Sequence, residues 1–225
     1  MQRRHRMRAA LLLLGALVAL AGCSHDTERV LLPPVAPMEG IFTIAVVGVS
    51  NATVDPGIGL LFEQIVAEQL AGSDRYTVID TFTARAALAN LNMSLDQLAD
   101  PEAARRLGRE LGADALITGT ATYYFEDVRM SVPQCSGCST PNATPYWSAT
   151  QTTQVLTSFQ ARVIRTDNGV IVWSEAVDGN GTMSRFNSIS WNQPTVPPDA
   201  VVPRADRSQI PAAREASVRD AAGKF

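Results

Sequence analysis

Cys135 and Cys138 are the residues whose type and spacing come nearest to chemistry, within Pro133-Gln134-Cys135-Ser136-Gly137-Cys138. Such a Cys-x-x-Cys pair could begin a zinc site, act as a redox dithiol, or close on itself. A structural zinc site needs about four ligands, and neither histidine nor a second cysteine pair lies near enough to complete the set. A thioredoxin-like dithiol opens a helix, whereas proline, serine and threonine flank this motif. The residues therefore favour a local disulfide closing a four-residue loop, with a chain-entropy contribution of about 2 kcal/mol. Neither a metal nor a cofactor is expected.

Other routes to catalysis are equally thin. The two histidines are His5 and His25, so the chain beyond residue 25 cannot supply Ser-His-Asp, Cys-His or His-based zinc chemistry. Gly57 and Gly59 lie between a strand and a helix, where a phosphate could approach the backbone. Neither GxGxxG nor GxxxxGK[ST] is present, however, and these glycines read as part of a connecting loop. Arg105, Arg106 and Arg109 read as a solvated helix face, offset in part by Glu102 and Glu110 three or four residues away. No catalytic residue is assigned, and the chain is read as non-enzymatic.

The amino-terminal segment is an address rather than part of the fold. Arg3, Arg4, Arg6 and Arg8 precede an apolar run over residues 11–20, a pattern too short and wrongly flanked for a lasting transmembrane helix. Leu20-Ala21-Gly22-Cys23 then resembles the lipobox of bacterial lipoproteins. The resemblance implies removal of residues 1–22 and lipid attachment at Cys23. Ser24, where aspartate would signal retention, implies an outer-membrane anchor with the protein facing the periplasm. Each buried acyl methylene contributes about 0.8 kcal/mol to such an anchor. Loss of the four arginines takes the basic count from 19 to 15 against 22 acidic residues, a net charge of −7. Nucleic acid is not expected as a partner, and the membrane is expected to be met through the lipid alone. Pro33, Pro34 and Pro37 make residues 23–40 an extended tether.

Residues 41–50, IFTIAVVGVS, are apolar on both alternating faces and predict a central strand covered from both sides. Asp55-Pro56 predicts the start of a helix over residues 57–71, with Leu61, Phe62, Ile65, Val66 and Leu70 inward and Glu63, Gln64 and Glu68 toward water. A short strand at 76–80 and a helix at 83–91 follow. Asp100-Pro101 opens a further helix, with Leu107 and Leu111 inward and Gly112 as its left-handed stop. Strands are predicted at 113–125, 154–165 and 170–178, the last two joined at Asp167-Asn168-Gly169. In the longer one Val155, Thr157, Phe159, Ala161 and Val163 form the packed face. A helix over 212–225 completes the order β-α-β-α-α-β-β-β-α. This is an α/β fold, one domain over 41–225 with a mixed sheet covered by helices and irregular insertions near 128–153 and 184–211.

IAVVGVSN, YTVID, LGRELGADALITGTAT and RVIRTDNGVIVWSE together resemble the curli-secretion lipoproteins of the CsgG type and their relatives. Those relatives include lipoproteins that activate peptidoglycan synthases (penicillin-binding proteins). The resemblance implies the fold, a protein partner in the cell envelope and a possible homo-oligomer. It implies first an accessory or assembly role in curli-type export, and alternatively docking on a peptidoglycan synthase. In the curli channel two insertions become barrel hairpins. Here Pro133, Pro141 and Pro145 interrupt the first insertion, and Pro194, Pro197, Pro198 and Pro203 the second. No self-made pore is expected, because a proline within a membrane strand removes a donor that hydrocarbon cannot replace. Tyr146, Trp147, Phe186 and Trp191 fall in these insertions, where they could pack over their own loops or contact a partner.

Overall fold

The computed structural model describes residues 38–225; the signal segment, Cys23 and the tether through residue 37 lie outside the described residues. Strand β1 (Thr43–Asn51) is central, as its apolar residues require, with β2 (Thr77–Ile79) and β3 (Ala115–Met130) parallel to it on either side. Strand β5 (Tyr146–Arg165) runs antiparallel to β3, and β6 (Ile171–Ile189) antiparallel to β5. The short β4 (Gln134–Ser136) continues along the edge of β5 beyond the end of β3. The result is a mixed six-stranded sheet.

Helices α1 (Ile58–Ala71) and α4 (Ile210–Ala222) cover one face. There Ile44 and Val46 pack with Phe62, Ile65, Phe159, Val163 and Val218, and the Phe62 and Phe159 rings stack at 4.1 Å. Helices α2 (Thr81–Asn90) and α3 (Pro101–Leu111), with a 3-10 turn at Leu95–Ala99, cover the other. Ala45 and Val47 meet Leu88, Leu98, Leu107 and Ile164 on that side. Residues of β1 therefore alternate between two cores, which is why almost the whole strand is buried. No helix among the described residues is long and apolar enough to cross a membrane.

Local signals account for both ends of α3 and the start of α2. The Asp100 side chain accepts from the Glu102 amide, Pro101 opens α3, and Gly112 closes it at φ 63°, a conformation that costs glycine little. Glu102 pairs with Arg105 and Arg109 on the wet face of α3. Asp80, read from sequence as the end of a strand, caps α2 by accepting from the Thr83 amide at 2.9 Å. Helix α4 approaches β6 where Gly179 and Gly181 remove two side chains. A Cβ at Gly181 would lie 2.6 Å from the Ser217 nitrogen and 2.9 Å from the Ala213 carbonyl carbon.

Two features differ from the sequence-based expectation. Glu63 does not face water: it is fully buried, accepts from the Val49 amide at 2.6 Å and forms two bonds to Arg85 at 2.7 and 2.8 Å. A buried carboxylate needs such partners, and both come from elements distant in sequence. The strands also extend further than predicted, with β3 reaching Met130, β5 beginning at Tyr146 and β6 ending at Ile189. Much of 128–153 and the start of 184–211 is therefore ladder rather than irregular chain. The prolines that seemed to interrupt it fall outside β3, β5 and β6.

Candidate functional site

Beyond the reach of α2, α3 and the 3-10 turn, the outer halves of β3, β5 and β6 have one covered face and one bare face. Strand pairing sets the rows of the bare face: Tyr123, Ser158 and Asp178; then Phe125, Leu156 and Asn180; then Asp127, Gln154 and Thr182; then Arg129, Thr152 and Ser184. A register shift between Ala121 and Tyr123 lets β3 carry two aromatic rings onto this face. Both are exposed. The surrounding polar side chains bond to one another, as Gln154 does to Asn180 at 3.3 Å and Gln160 to Ser174 at 3.2 Å. Asp127 pairs with Arg129. Large rings set among short polar side chains are typical of protein contact surfaces.

The covered face of the same strands carries a small core of its own, apart from the two that flank β1. Trp147, Ala149 and Ile189 are buried against Met130, Cys135, Cys138, Trp191 and Val202. Each indole donates to the chain that crosses it, Trp147 Nε1 to the Gln193 carbonyl at 2.9 Å and Trp191 Nε1 to the Thr195 carbonyl at 2.8 Å. The Gln151 side chain, fully buried, acts as a clamp: its Nε2 donates to the Asp206 carbonyl and its Oε1 accepts from the Asp206 amide, both at 2.9 Å. One side-chain amide thus does what a neighbouring strand would do for the 192–209 segment.

Charged groups fasten the same segment. The Asp206 carboxylate is held well below the usual range by the Ser208 hydroxyl and then by Arg185, with which it forms an ion pair. Arg207 pairs with Glu126, which accepts from the Tyr124 hydroxyl at 3.0 Å. Burial first, and Asp55 second, push the Tyr124 phenol upward. Asp55 itself meets Arg214 of α4 at 3.0 Å.

The four aromatic residues singled out in the sequence divide between these faces. Trp147 is 5% exposed, and Trp191 packs beside it in the small core. Phe186, 61% exposed, and Tyr146 project from the other side, their rings stacked 6.3 Å apart. Sequence reasoning missed Tyr123 and Phe125, which it left inside an ordinary strand. Their signal was present: TATYYF places aromatic residues at successive positions, so one face or the other must expose a ring. Cys135 and Cys138 are bonded to each other at the margin of the core, with Cα atoms 5.9 Å apart. Gly137 between them adopts φ 84°.

Gly59 gives no support to a phosphate loop. Its absent Cβ would lie 2.8 Å from the Val49 carbonyl, so the glycine lets α1 pack close to β1. Among the described residues no three His, Cys, Asp or Glu side chains gather where they could hold a metal ion. Lipidation at Cys23 lies outside the described residues.

No family model and no curated protein matches this chain. Among solved structures, the LpoB C-terminal domain from Salmonella enterica is similar at 17% identity, over 62% of this chain and 85% of that one, with a TM-score of 0.40. Lipoprotein GNA1162 from Neisseria meningitidis is similar at 19% identity, over 60% and 78%, with a TM-score of 0.41. The PelC dodecamer from Paraburkholderia phytofirmans is similar at 17% identity, over 84% and 91%, with a TM-score of 0.38.

Proposed function

We propose that this chain is a non-enzymatic lipoprotein, anchored at the outer membrane through Cys23, that docks on a peptidoglycan synthase from the periplasmic side and activates it. The observation that carries the docking part is the bare face of β3, β5 and β6. Tyr123 and Phe125 stand exposed there in the middle of a rigid sheet, while the covered side is closed by α4 and the 192–209 segment. Rigid aromatic residues of this kind contribute a large share of binding energy at protein interfaces.

Of the two envelope roles implied by the sequence resemblance, activation fits this arrangement better than curli-type export. A barrel-forming hairpin must leave its strands free to meet lipid on one face. Here the covered face is engaged with the protein's own small core, and the bare face is mostly Thr, Ser, Gln, Asn and Asp. The expectation of no pore therefore rests on side-chain chemistry rather than on prolines inside the strands.

The test is functional. Added to a penicillin-binding protein from the same cell, the protein should raise the rate of glycan-strand polymerisation, and the Tyr123→Ala, Phe125→Ala double variant should not. An unchanged rate at saturating wild-type protein would remove the activator reading. A closed ring in detergent, in place of a monomer, would favour export.

A further inference from the structure

Where the 3-10 turn stops covering the sheet, a cleft of about 120 Å³ opens at the carboxyl end of β1, beside residues 118–120 of β3, which runs on to Met130. In open α/β sheets ligands bind outside the carboxyl ends of parallel strands, and here β1 is the strand that ends at the cleft. One wall is apolar, made by Leu95, Leu98, Ile164 and Ile171; the other carries Ser50, Thr120 and Arg162. The volume suits a molecule of only a few heavy atoms.

The guanidinium of Arg162 is the notable group. It is half-buried, and it makes no hydrogen bond or ion pair with another described residue. Its position on β5, opposite Thr118 and Ser174, puts it on the sheet face that lines the cleft. Arg162 lines the cleft, and its five N–H donors, in a planar fork, have no acceptor among the described residues. Beside it the hydroxyls of Ser50 and Thr120 lie 2.8 Å apart. The Ser50 hydroxyl donates to the Gly119 carbonyl at 3.2 Å, so the Thr120 proton goes to the Ser50 oxygen. Thr118 is not available, since its hydroxyl donates to the Gly48 carbonyl at 3.1 Å.

We infer that this cleft binds a carboxylate carried on a short aliphatic body. The carboxylate would take two parallel bonds from Arg162, and the aliphatic part would lie on Leu95, Leu98 and Ile171. A phosphate fits less well. Among the described residues lining the cleft Arg162 is the only cation, and Asp96, which also lines it, disfavours a second negative charge. The same chemistry could come from a free small acid or from the carboxyl terminus of a peptide. The inference is independent of whether the bare face docks a synthase.

The experiment is a titration of the isotopically labelled 38–225 body at constant ionic strength, following the amide signals of Leu95, Asp96, Gly119 and Thr120. The probes are propionate, the neutral propionamide, and N-acetyl-Ala-Ala as free acid and as amide. Saturable shifts with the acids alone are expected. Tighter binding of the peptide acid than of propionate would assign the site to a chain terminus, and the reverse order to a free acid. Arg162→Gln should weaken binding roughly tenfold or more, and Ser50→Ala, which leaves Arg162 in place, should not weaken it. Both variants should keep the wild-type spectrum elsewhere, which separates lost binding from lost fold. No saturable response to either acid, equal responses to acids and amides, or undiminished binding in Arg162→Gln would overturn the inference.

Discussion

Replacing Gln151 by alanine should release the 192–209 segment from the sheet. Gln151 is fully buried, and both ends of its amide are bonded to the main chain of Asp206 at 2.9 Å. Each neutral hydrogen bond is worth about 1 kcal/mol net, and a buried group left without its partner costs about 1–3 kcal/mol more. Alanine removes these two bonds and a longer one from Gln151 Nε2 to the Thr153 hydroxyl at 3.3 Å, and it leaves the half-buried Asp206 amide and carbonyl without their side-chain partner. Partial access to water limits that second cost, so a loss of about 2–3 kcal/mol is expected in total. With a urea m-value of about 2–3 kcal/mol/M, the midpoint should fall by roughly 1 M. Hydrogen exchange at the Asp206 amide should accelerate at least tenfold if the loss is local, since about 1.4 kcal/mol corresponds to each factor of ten. Gln154→Ala is the matched control, because Gln154 lies on the bare face with a single 3.3 Å bond to Asn180. It should shift the midpoint little. An unchanged midpoint together with unchanged exchange at Asp206 in Gln151→Ala would refute the clamp.

Three further outcomes are expected. Gly181→Ala should destabilise the protein by about 2 kcal/mol or more by urea unfolding, because the new methyl meets main-chain atoms of α4 rather than a side chain that could move; a neutral effect would show that α4 does not rest on β6. Neither Cys135 nor Cys138 should react with a thiol probe until a reductant is added, and Cys135→Ser should cost no more than about 2 kcal/mol; tight stoichiometric zinc in the oxidised protein would contradict this. Because its folded-state pKa is depressed, Asp206 contributes stability that is present above about pH 4 and lost as the pH falls through the folded value. Asp206→Asn should therefore lower the melting temperature at pH 7, with the gap to wild type closing below about pH 4; a gap that stays constant to pH 2 would assign the effect to something other than the charge.

The parts of the fold that were legible in the sequence are those governed by local physics. Val155, Thr157, Phe159, Ala161 and Val163 alternate in sequence and are all buried in the structure. Asp100-Pro101 and Gly112 bracket α3 by cap chemistry alone. The parts that were not legible depend on partners remote in the chain. Glu63 looks polar on any helical projection, and its burial makes sense only with Arg85 and the Val49 amide beside it. The outer half of β5 escaped notice because two of its buried positions are Gln151 and Thr153, so polarity conceals the alternation. Its prolines reinforced the error, although they lie in the connections and not in the strands. The bare face was hidden for a related reason: only the register shift after Ala121 decides which of the consecutive aromatics points outward.

The most direct test of the proposed docking is the affinity of the purified 38–225 body for a peptidoglycan synthase from the same cell, measured for wild type and for the Tyr123→Ala, Phe125→Ala double variant. Both rings are exposed and neither supports either main core, so the double variant should fold as wild type does. If the bare face is the docking surface, the variant should bind at least about tenfold more weakly, the loss of one or two aromatic anchors. Wild-type affinity in the folded double variant, or no binding by the wild type, would contradict the account.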